Sequence, residues 1–419
     1  MQKIIIVGNG ISGITAARYI RKKSDAEILV ISNESEYFFS RTALMYVYMG
    51  HMKWEHIEPY ERNFWSKNRI NLKKGLVTSF DFSEKLVFIG NEKISYDKLI
   101  LACGSKYKEL GAPGEKTEGI FGMYSKEDFD QIWNWTKGAK WRAPRIAKAA
   151  VIGGGLIGIE LVEMLHSEGI HVDFIIRDGS FWSSVLPSLE SEIVTRHILS
   201  KGINLITNEG ISEIHSTEGK IRGLTLNSGI VLNTEMLGVT IGVEPNISFL
   251  QNSGLKLDKG ILVNHRLETN QKDVFAVGDC AQLEAPDQGR KAIEPVWYTG
   301  RMMGEVAAIS ALGLDGEYHP GVWFNSAKFF DIEYQVYGSV PVKEKDELKN
   351  IVFRRNDDVL RLVFENDKLI GVQGLGVRVK HEIAEKYILN GANEKELNSK
   401  WKELLFDPEF YALPALATN

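Results

Sequence analysis

The first half of the chain alternates short apolar runs with glycine turns and amphipathic stretches. Residues 4–7 form an apolar run that is typical of a strand buried on both faces of a parallel sheet. A glycine-rich turn at 8–13, a helical stretch at 14–23 and a second apolar run at 28–31 follow. This order predicts a strand–turn–helix–strand unit.

The same unit occurs a second time along the chain. An apolar run at 149–152 leads into a glycine turn at 153–158, then into an amphipathic stretch at 159–167 and a strand pattern at 172–176. Two complete units of this kind predict two Rossmann-type domains, each of which binds one dinucleotide.

The glycines decide the chemistry of these turns. In the first turn Gly8 permits a tight bend, Gly10 lets the backbone approach a pyrophosphate, and Gly13 lets the helix pack close to the strand. The helix N-terminus then offers free N–H groups and a partial positive charge to the phosphates. The cofactor-binding residues predicted in the two turns are Gly8, Asn9, Gly10, Ile11, Ser12, Gly13, Gly153, Gly155, Leu156, Ile157 and Gly158.

Composition narrows the class of protein. A chain of 419 residues, 44% hydrophobic and 25% charged, is long enough for two or three domains with ordinary cores. A net charge of −5 gives no reason to expect nucleic acid as a partner. We find neither an apolar run long enough for a membrane span nor a signal-peptide pattern, and we therefore expect a soluble, cytoplasmic protein. The nine histidines and two cysteines lack metal-ligand spacing, so we expect no metal site.

Four further motifs, at 96–105, 239–246, 273–281 and 297–312, make the pattern specific. Together with the two glycine turns they resemble the two-dinucleotide-binding flavoproteins, the pyridine nucleotide–disulfide oxidoreductase superfamily. The resemblance covers about residues 1–340 and implies FAD and NADH or NADPH as cofactors. It implies an α/β fold with two Rossmann-like domains and a small α+β C-terminal domain, in which a hairpin is predicted at 359–373.

The resemblance also implies domain boundaries and site residues. The FAD domain would comprise 1–111 and 243–318, the NAD(P)H domain 112–242, and the third domain 319–419. Asp279 would accept a hydrogen bond from the ribityl chain, Arg41 would bind the FAD pyrophosphate, and Glu160 would orient the nicotinamide. An alternative for Glu160 is an acidic residue favoured in the first turn of a helix. The remaining cofactor contacts implied are Asn33, Glu34, Val77, Ala102, Cys103, Gly104, Arg177, Gly242, Gly278, Val296 and Trp297.

Cysteine placement bears on the branch of the superfamily. Disulfide reductases carry their active cysteine near the flavin, but the corresponding stretch, 39–46, has none. Cys103 and Cys280 lie inside flavin-domain motifs, and we interpret them as buried, inert thiols. Their motif positions argue against their being brought together as a dithiol.

The stretch 32–46 instead resembles the ferredoxin and rubredoxin reductase branch. Glu34 and Arg41 match that branch, whereas Tyr46 replaces a lysine that in relatives pairs with the glutamate matching Glu160. The function implied is an FAD-dependent NAD(P)H reductase that feeds a small iron–sulfur carrier. The alternatives are a type II NADH:quinone oxidoreductase, because 44–50 is apolar, and a redox-sensing flavoprotein of the apoptosis-inducing-factor type.

Three features concern cofactor and partner choice. Ile176 takes the place of the carboxylate that usually selects NAD, and the adjacent Arg177 favours NADPH, although Asp178 could serve NADH. A basic, tryptophan-rich segment at 133–148 would steer an acidic carrier or would be a solvated loop. The apolar tail at 401–416 would pack on the body or on a second subunit, which makes a homodimer a further expectation.

Overall fold

The computed structural model describes residues 1–137, 145–343 and 345–409. The chain forms two compact units and passes between them several times. The first unit comprises Met1–Lys108, Gly122–Lys140 and Gly242–Pro320. The second comprises Glu109–Phe121, Trp141–Ile241 and Gly321–Asn419.

A five-stranded parallel sheet forms the centre of the first unit. Its strands, in spatial order, are Val274–Ala276, Lys98–Leu101, Lys3–Val7, Glu27–Ser32 and Ile70–Lys74. Ile4, Ile5 and Ile6 are fully buried, as expected for a strand that is covered on both faces.

Two helices of the first unit pack closely against each other. They are Ile11–Lys23, which follows the first strand, and Trp297–Ala311. A Cβ atom placed on Gly304 would lie 2.4 Å from the Ser12 carbonyl oxygen, so only glycine permits this approach.

Smaller elements complete the first unit. Short helices are Leu44–Tyr48, Asn63–Lys67 and Lys126–Thr136. Antiparallel strands are Ser79–Asp81, Leu86–Ile89 and Glu92–Ser95 in one sheet, and Ser105–Tyr107 with Val243–Pro245 in another. Ile261–Val263 pairs in parallel with Ala281–Leu283.

The second unit contains another parallel sheet and two antiparallel sheets. The parallel sheet has the order Asn204–Ile206, His171–Ile175, Lys148–Ile152, Leu237–Val239 and Ile120–Phe121, and its helices are Leu156–Ser167 and Ser188–Ser200. The three-stranded antiparallel sheet comprises Ile211–Thr217, Lys220–Leu226 and Val231–Asn233. The five-stranded antiparallel sheet has the order Phe324–Phe329, Ile332–Gly338, Lys368–Leu375, Asp358–Glu365 and Leu348–Arg355.

The chain then continues through the helices His381–Leu389 and Glu394–Lys400. Trp401 stacks on Phe353 with ring centroids 4.6 Å apart, and Leu404 and Leu405 are buried. This part of the predicted apolar tail therefore packs on the body of the second unit. Its remaining residues, from Phe410 onward, lie outside the described residues.

The predicted fold class is confirmed. Both strand–turn–helix–strand units are present, each helix begins three residues earlier than predicted, and the hairpin near 366–367 forms. Among the described residues, no helix is both long and apolar enough to cross a membrane. The assignment of the three predicted domains to individual cofactors stays a prediction.

Candidate dinucleotide-binding sites

The first glycine turn leaves open space in front of a helix. A Cβ atom on Gly8 (φ +111°) would lie 2.1 Å from the Ala102 carbonyl oxygen, and one on Gly13 would lie 2.0 Å from the Gly8 carbonyl oxygen. Both positions therefore require glycine for packing. A Cβ atom on Gly10 would meet no protein atom within 4 Å. Gly10 thus faces space that a ligand can fill.

The helix that begins at this turn presents an uncapped positive end. Gly10 is the N-cap of Ile11–Lys23, it contributes no side-chain cap, and the first turn contains no acidic residue. The N–H groups of the first turn are therefore available to an anion, and the helix dipole favours negative charge there. This arrangement fits one pyrophosphate of a dinucleotide such as FAD.

The second turn repeats the same geometry in the second unit. A Cβ atom on Gly153 (φ +119°) would lie 2.3 Å from the Thr240 carbonyl oxygen, and one on Gly158 would lie 2.0 Å from the Gly153 carbonyl oxygen. Gly155 is the uncapped N-cap of Leu156–Ser167, and a Cβ atom there would meet nothing within 4 Å. The chain therefore offers a second cradle for a pyrophosphate.

Asp279 lies in a short turn, Gly278–Cys280, and is held by two hydroxyl groups. Its Oδ2 atom accepts hydrogen bonds from the Tyr124 hydroxyl (3.0 Å) and the Ser105 hydroxyl (3.1 Å). Burial raises the pKa of Asp279, although these hydrogen bonds and the charge of Arg41 oppose the rise. A buried carboxylate of this kind can accept a hydrogen bond from a bound hydroxyl-bearing chain.

Arg41 and Glu34 form a two-point ion pair. Arg41 Nη1 and Nη2 donate to the two carboxylate oxygens of Glu34 at 2.8 and 2.7 Å. Burial opposes ionisation of Glu34, but the hydrogen bonds and charge of Arg41 hold the pKa of that carboxyl below its usual range. Arg41 Nη1 also donates to the Tyr124 carbonyl oxygen at 2.5 Å, and the guanidinium lies 4.6 Å from the centre of the Tyr124 ring.

Tyr124 was missed by sequence reasoning. It contacts both Arg41 and Asp279, and its hydroxyl also accepts a hydrogen bond from the Ser105 amide at 3.0 Å. Burial and the charge of Asp279 raise the pKa of Tyr124, so it stays a neutral donor. Tyr124 belongs to none of the motifs, and no signal in the sequence indicated this role.

The other residues predicted for the first turn have distinct environments. Asn9 is buried, and its side-chain amide donates to the Ser35 carbonyl oxygen (2.9 Å), which ties the turn to the loop after the second strand. Ser12 is buried beneath Gly278, where a Cβ atom would lie 2.4 Å from the Ser12 hydroxyl oxygen. Ile11 is partly buried and Asn33 is exposed.

The remaining predicted contacts of the first unit lie at element ends. Ala102, Cys103 and Gly104 directly follow the strand Lys98–Leu101. Val296 is the N-cap of the helix that begins at Trp297, and that helix also lacks a side-chain cap. Val77 is buried in the core, and Gly242 adopts a φ of +126°.

The two cysteines lie together, so the expectation that their motif positions keep them apart is wrong. The side chains of Cys103 and Cys280 are hydrogen-bonded to each other, and this bond, together with burial, raises the pKa of the Cys103 thiol. Cys280 is fully buried, and its thiol donates to the Val277 carbonyl oxygen at 3.3 Å. The parallel pairing of Ala276 with Leu101 brings the two motifs together, which spacing alone did not reveal.

Glu160 lies in the helix of the second cradle, beyond its first turn. The helix begins at Leu156 rather than near 159, so the alternative that Glu160 is a first-turn acidic residue is wrong. Burial and the neighbouring Glu163 raise the pKa of Glu160 to about 7. Glu160 can therefore exchange a proton in the neutral pH range.

Of the three residues considered for nucleotide choice, Arg177 and Asp178 are accessible to solvent and Ile176 is not. Arg177 follows the strand His171–Ile175 by two positions and its side chain is 86% exposed, while Ile176 is buried. Arg177 Nε lies 3.7 Å from Asp178 Oδ1. Both a cation and a carboxylate are thus available at the end of this strand.

One cation of the basic, tryptophan-rich segment 133–148 is not on the surface. Lys137 is 5% exposed, its ammonium donates to the Tyr48 carbonyl oxygen, and it lies 4.5 Å from the centre of the Trp133 ring. The idea that Lys137 steers a carrier is therefore wrong. Lys140 and Arg142, two further cations of the same segment, lie outside the described residues.

Comparison with known proteins identifies the family. The model of the family described as pyridine nucleotide-disulphide oxidoreductase matches residues 2–304, and the chain belongs to this family. The protein is an NAD(P)H-dependent flavoprotein oxidoreductase, and its cofactors are FAD and NADH or NADPH.

The chain is similar to several named proteins. It is 26% identical to the assimilatory nitrate reductase electron transfer subunit of Bacillus subtilis over 88% of this chain, but it spans only 47% of that relative. It is 29% identical to an NADH-rubredoxin oxidoreductase of Clostridium acetobutylicum, covering 75% of this chain and 76% of the relative. A ferredoxin reductase from Rhodopseudomonas palustris has the same fold, with a TM-score of 0.82, 19% identity, and coverage of 96% of this chain and 100% of that chain.

Proposed function

We propose that the protein transfers electrons from NAD(P)H, by way of FAD, to a small ferredoxin- or rubredoxin-like iron–sulfur carrier. The observation that carries the proposal is the pair of uncapped helix N-termini behind Gly10 and Gly155, each facing space that no protein atom fills. When bound, FAD would supply the acceptor for a hydride and the relay to the next carrier.

The residues of the first unit have separate roles in this proposal. The turn at Gly10 binds the FAD pyrophosphate, with Arg41 adding positive charge next to Glu34. Asp279, held by Tyr124, accepts a hydrogen bond from the ribityl chain. The uncapped helix at Trp297 stabilises negative charge on the reduced flavin ring.

The second unit binds the nicotinamide nucleotide in the proposal. The turn at Gly155 takes its pyrophosphate, and Glu160 orients the nicotinamide. Arg177 is exposed next to the end of the second strand, where it favours the 2′-phosphate of NADPH. An activity at least tenfold higher with NADH would contradict this preference.

Two observations favour an iron–sulfur carrier over a disulfide as the electron acceptor. The stretch 39–46 has no cysteine, and the similar protein of Clostridium acetobutylicum is named for rubredoxin. The quinone alternative is based on the apolar segment 44–50. This segment exposes little apolar surface to a membrane or a quinone, because four of its side chains are buried in the first unit: Leu44, Met45, Val47 and Tyr48. Slow reduction without turnover would favour the redox-sensing alternative instead.

Anaerobic rapid mixing tests the proposal directly. The FAD-loaded protein would be mixed with NADH and with NADPH while the flavin absorbance is followed. Rubredoxin, ferredoxin, a quinone in liposomes and oxygen would then be offered to the reduced protein. Rapid bleaching, followed by faster reoxidation with an iron–sulfur carrier than with quinone or oxygen, is the expected result. Bleaching that only quinone reverses quickly would overturn the choice of acceptor.

A further inference from the structure

Three side chains of types that can bind a metal ion lie close together in the first unit. None of them belongs to the candidate dinucleotide-binding sites. His265, Asp287 and His319 come from three separate segments, and one ligand atom from each lies within 4.8 Å of the others. His319 Nδ1 is 3.2 Å from Asp287 Oδ2, and His265 Nε2 is 4.0 Å from Asp287 Oδ1. The two imidazole rings stack with their centroids 4.8 Å apart.

The tautomer of His265 can be deduced from the carbonyl group that its Nδ1 atom contacts. Its Nδ1 atom lies 3.0 Å from the Tyr318 carbonyl oxygen, which can only accept a hydrogen bond. Nδ1 therefore carries the proton, and in the neutral ring the lone pair is on Nε2, the nitrogen nearer Asp287. Metal-ligating histidines are commonly oriented in this way by a carbonyl group on the distal nitrogen.

His319 has an equivalent arrangement on its opposite side. Without a metal ion, Nδ1 donates to the Asp287 carboxylate at 3.2 Å. When an ion displaces that proton, the remaining proton is on Nε2, which lies 3.3 Å from its acceptor, Glu317 Oε2. Nδ1 is the nitrogen that faces Asp287. Both histidines thus have a distal acceptor and a proximal nitrogen directed towards the same carboxylate.

We propose that His265, Asp287 and His319 bind a divalent transition-metal ion of the zinc class. Two imidazoles and one carboxylate form a ligand set that suits Zn²⁺, with a fourth position left for water. Ligands about 2.0–2.2 Å from a tetrahedral ion lie roughly 3.3 Å apart. The separation of His319 and Asp287 already matches this value. His265 Nε2 lies 4.0 Å from Asp287, and the three ligand atoms lie within 4.8 Å of one another, so His265 must approach by at most about 1.5 Å.

The ion would connect segments around the helix that begins at Trp297. Asp287 precedes that helix, His319 follows its end at Ala311, and His265 lies in the turn after the strand Ile261–Val263. Binding would therefore stabilise the folded first unit by linkage. Sequence reasoning expected no metal site because these ligands are far apart along the chain, and this proposal replaces that expectation.

Zinc titration of the chelator-treated, FAD-loaded protein tests the proposal. Calorimetry and elemental analysis are expected to show one tightly bound equivalent of Zn²⁺, with a higher unfolding temperature in its presence. His265→Gln, Asp287→Asn and His319→Gln should each weaken binding at least tenfold. Glu317→Gln should weaken it by about 10- to 100-fold, as a residue that orients a ligand.

His56→Gln is the matched control. His56 is 52% exposed and lies 3.8 Å from a Glu55 carboxylate oxygen, whereas His319 is 55% exposed. This control should bind Zn²⁺ as the unsubstituted protein does. Equal loss in the control and the ligand variants, or no saturable binding at all, would overturn the proposal and leave an adventitious ion only.

A second measurement does not depend on the variants folding. Co²⁺ added to the unsubstituted protein should give visible d–d absorption of tetrahedral intensity, which Zn²⁺ then removes. Weak absorption typical of an octahedral, mostly hydrated ion would contradict the proposed ligand set. Flavin content and circular dichroism would be recorded for every variant, so that loss of folding is separated from loss of ligands.

Discussion

Arg41 and Glu34 hold each other by two hydrogen bonds of 2.8 and 2.7 Å. The family resemblance implies that both residues contact the cofactor, with Arg41 at the FAD pyrophosphate. Because they are paired, a substitution at Glu34 also changes the orientation and the charge balance of Arg41. The backbone amide of Lys126, which donates to Glu34 at 2.7 Å, adds a further link to the same carboxylate.

Glu34→Gln is expected to weaken FAD binding about tenfold, because a charge-assisted hydrogen bond is worth roughly 1.5–3 kcal/mol. Fluorescence titration of the apoprotein with FAD measures the effect. Glu109→Gln is the control, since its pair with Lys116 has a similar 2.7 Å distance but is 65–79% exposed. Unchanged affinity in Glu34→Gln would contradict a role for the pair at the FAD site.

Alanine substitution distinguishes the proposed roles of the two glycine turns. Gly10→Ala should leave folding intact and lower FAD affinity at least tenfold, because its Cβ atom enters space free of protein. Gly155→Ala should leave FAD bound and raise the KM for the nicotinamide nucleotide. Flavin content, thermal unfolding and steady-state kinetics distinguish these outcomes.

Gly13→Ala and Gly158→Ala are the comparison variants. A Cβ atom at either position would lie 2.0 Å from a backbone oxygen, so both variants should lose stability as well as ligand. A Gly10→Ala protein with normal FAD content would refute the assignment of the first turn to FAD. If Gly155→Ala lost FAD and Gly10→Ala raised the KM for the nicotinamide nucleotide, the first turn would bind the nicotinamide nucleotide and the second would bind FAD.

Local patterns were sufficient to predict most elements of the fold. The buried runs, the glycine turns and the hairpin all depend on residues close together in sequence, and Asn366 and Asp367 adopt the positive φ values that this tight turn requires. The start of each Rossmann helix was placed three residues late, because its first residues lie inside the glycine motif.

Contacts between distant segments could not be predicted. Tyr124 and Asp279 are 155 positions apart, and only the folded first unit brings them within hydrogen-bonding distance. Lys137 looked like a surface cation because charge patterning does not show burial. Its stem and ammonium pack among aromatic rings, an environment that depends on where Tyr48 lies in the fold.

Glu160 is expected to make stability depend on pH. Its folded-state pKa of about 7 lies above the ordinary value of 4.5, so between these values the folded state binds more protons than the unfolded state. The free energy of unfolding therefore falls as the pH rises from 4.5 to 7, by at most about 3 kcal/mol.

Glu160→Gln should remove this part of the pH dependence. Chemical denaturation of both proteins at pH 5 and pH 8, without nicotinamide nucleotide, measures how the free energy of unfolding of each protein changes with pH. The other titrating groups are the same in both proteins, so their contributions cancel when the two changes are compared. Affinity for the oxidised, positively charged nicotinamide should also rise through pH 7 in the unsubstituted protein only. Parallel pH profiles for the two proteins would contradict both the raised pKa and the proposed position of Glu160.

Cys103 and Cys280 are expected to take no part in turnover, although they are hydrogen-bonded to each other. The raised pKa of the Cys103 thiol makes it a poor nucleophile. The hydrogen bond with Cys103 lowers the pKa of the Cys280 thiol, but Cys280 is fully buried and out of reach of a substrate. Anaerobic reductive titration should consume two electrons per FAD, whereas a redox-active dithiol would require four. Cys103→Thr should keep turnover within about twofold, and four-electron uptake that this variant abolishes would show that the pair is redox-active.

A buried ion pair in the second unit joins the helix Ser188–Ser200 to the strand Asp358–Glu365 of the antiparallel sheet. Arg361 donates to both carboxylate oxygens of Glu190 at 2.8 and 2.9 Å, and the two side chains are 8% and 0% exposed. Glu190→Gln leaves a buried guanidinium without its counter-charge, so we expect a loss of about 3–5 kcal/mol in the free energy of unfolding. The double variant Glu190→Met with Arg361→Met should recover most of this loss, because it removes both charges.

Asp357→Asn provides the control, because Asp357 directly precedes the strand of Arg361 and its partner Arg196 lies in the helix of Glu190. Asp357 and Arg196 form an ion pair of 3.0 Å, but their side chains are 58% and 57% exposed, so its loss should cost less than about 1 kcal/mol. Urea denaturation of the three variants and the unsubstituted protein measures these differences. Equal effects of Glu190→Gln and Asp357→Asn would mean that water reaches the Glu190 carboxylate, and that burial does not set the strength of this pair.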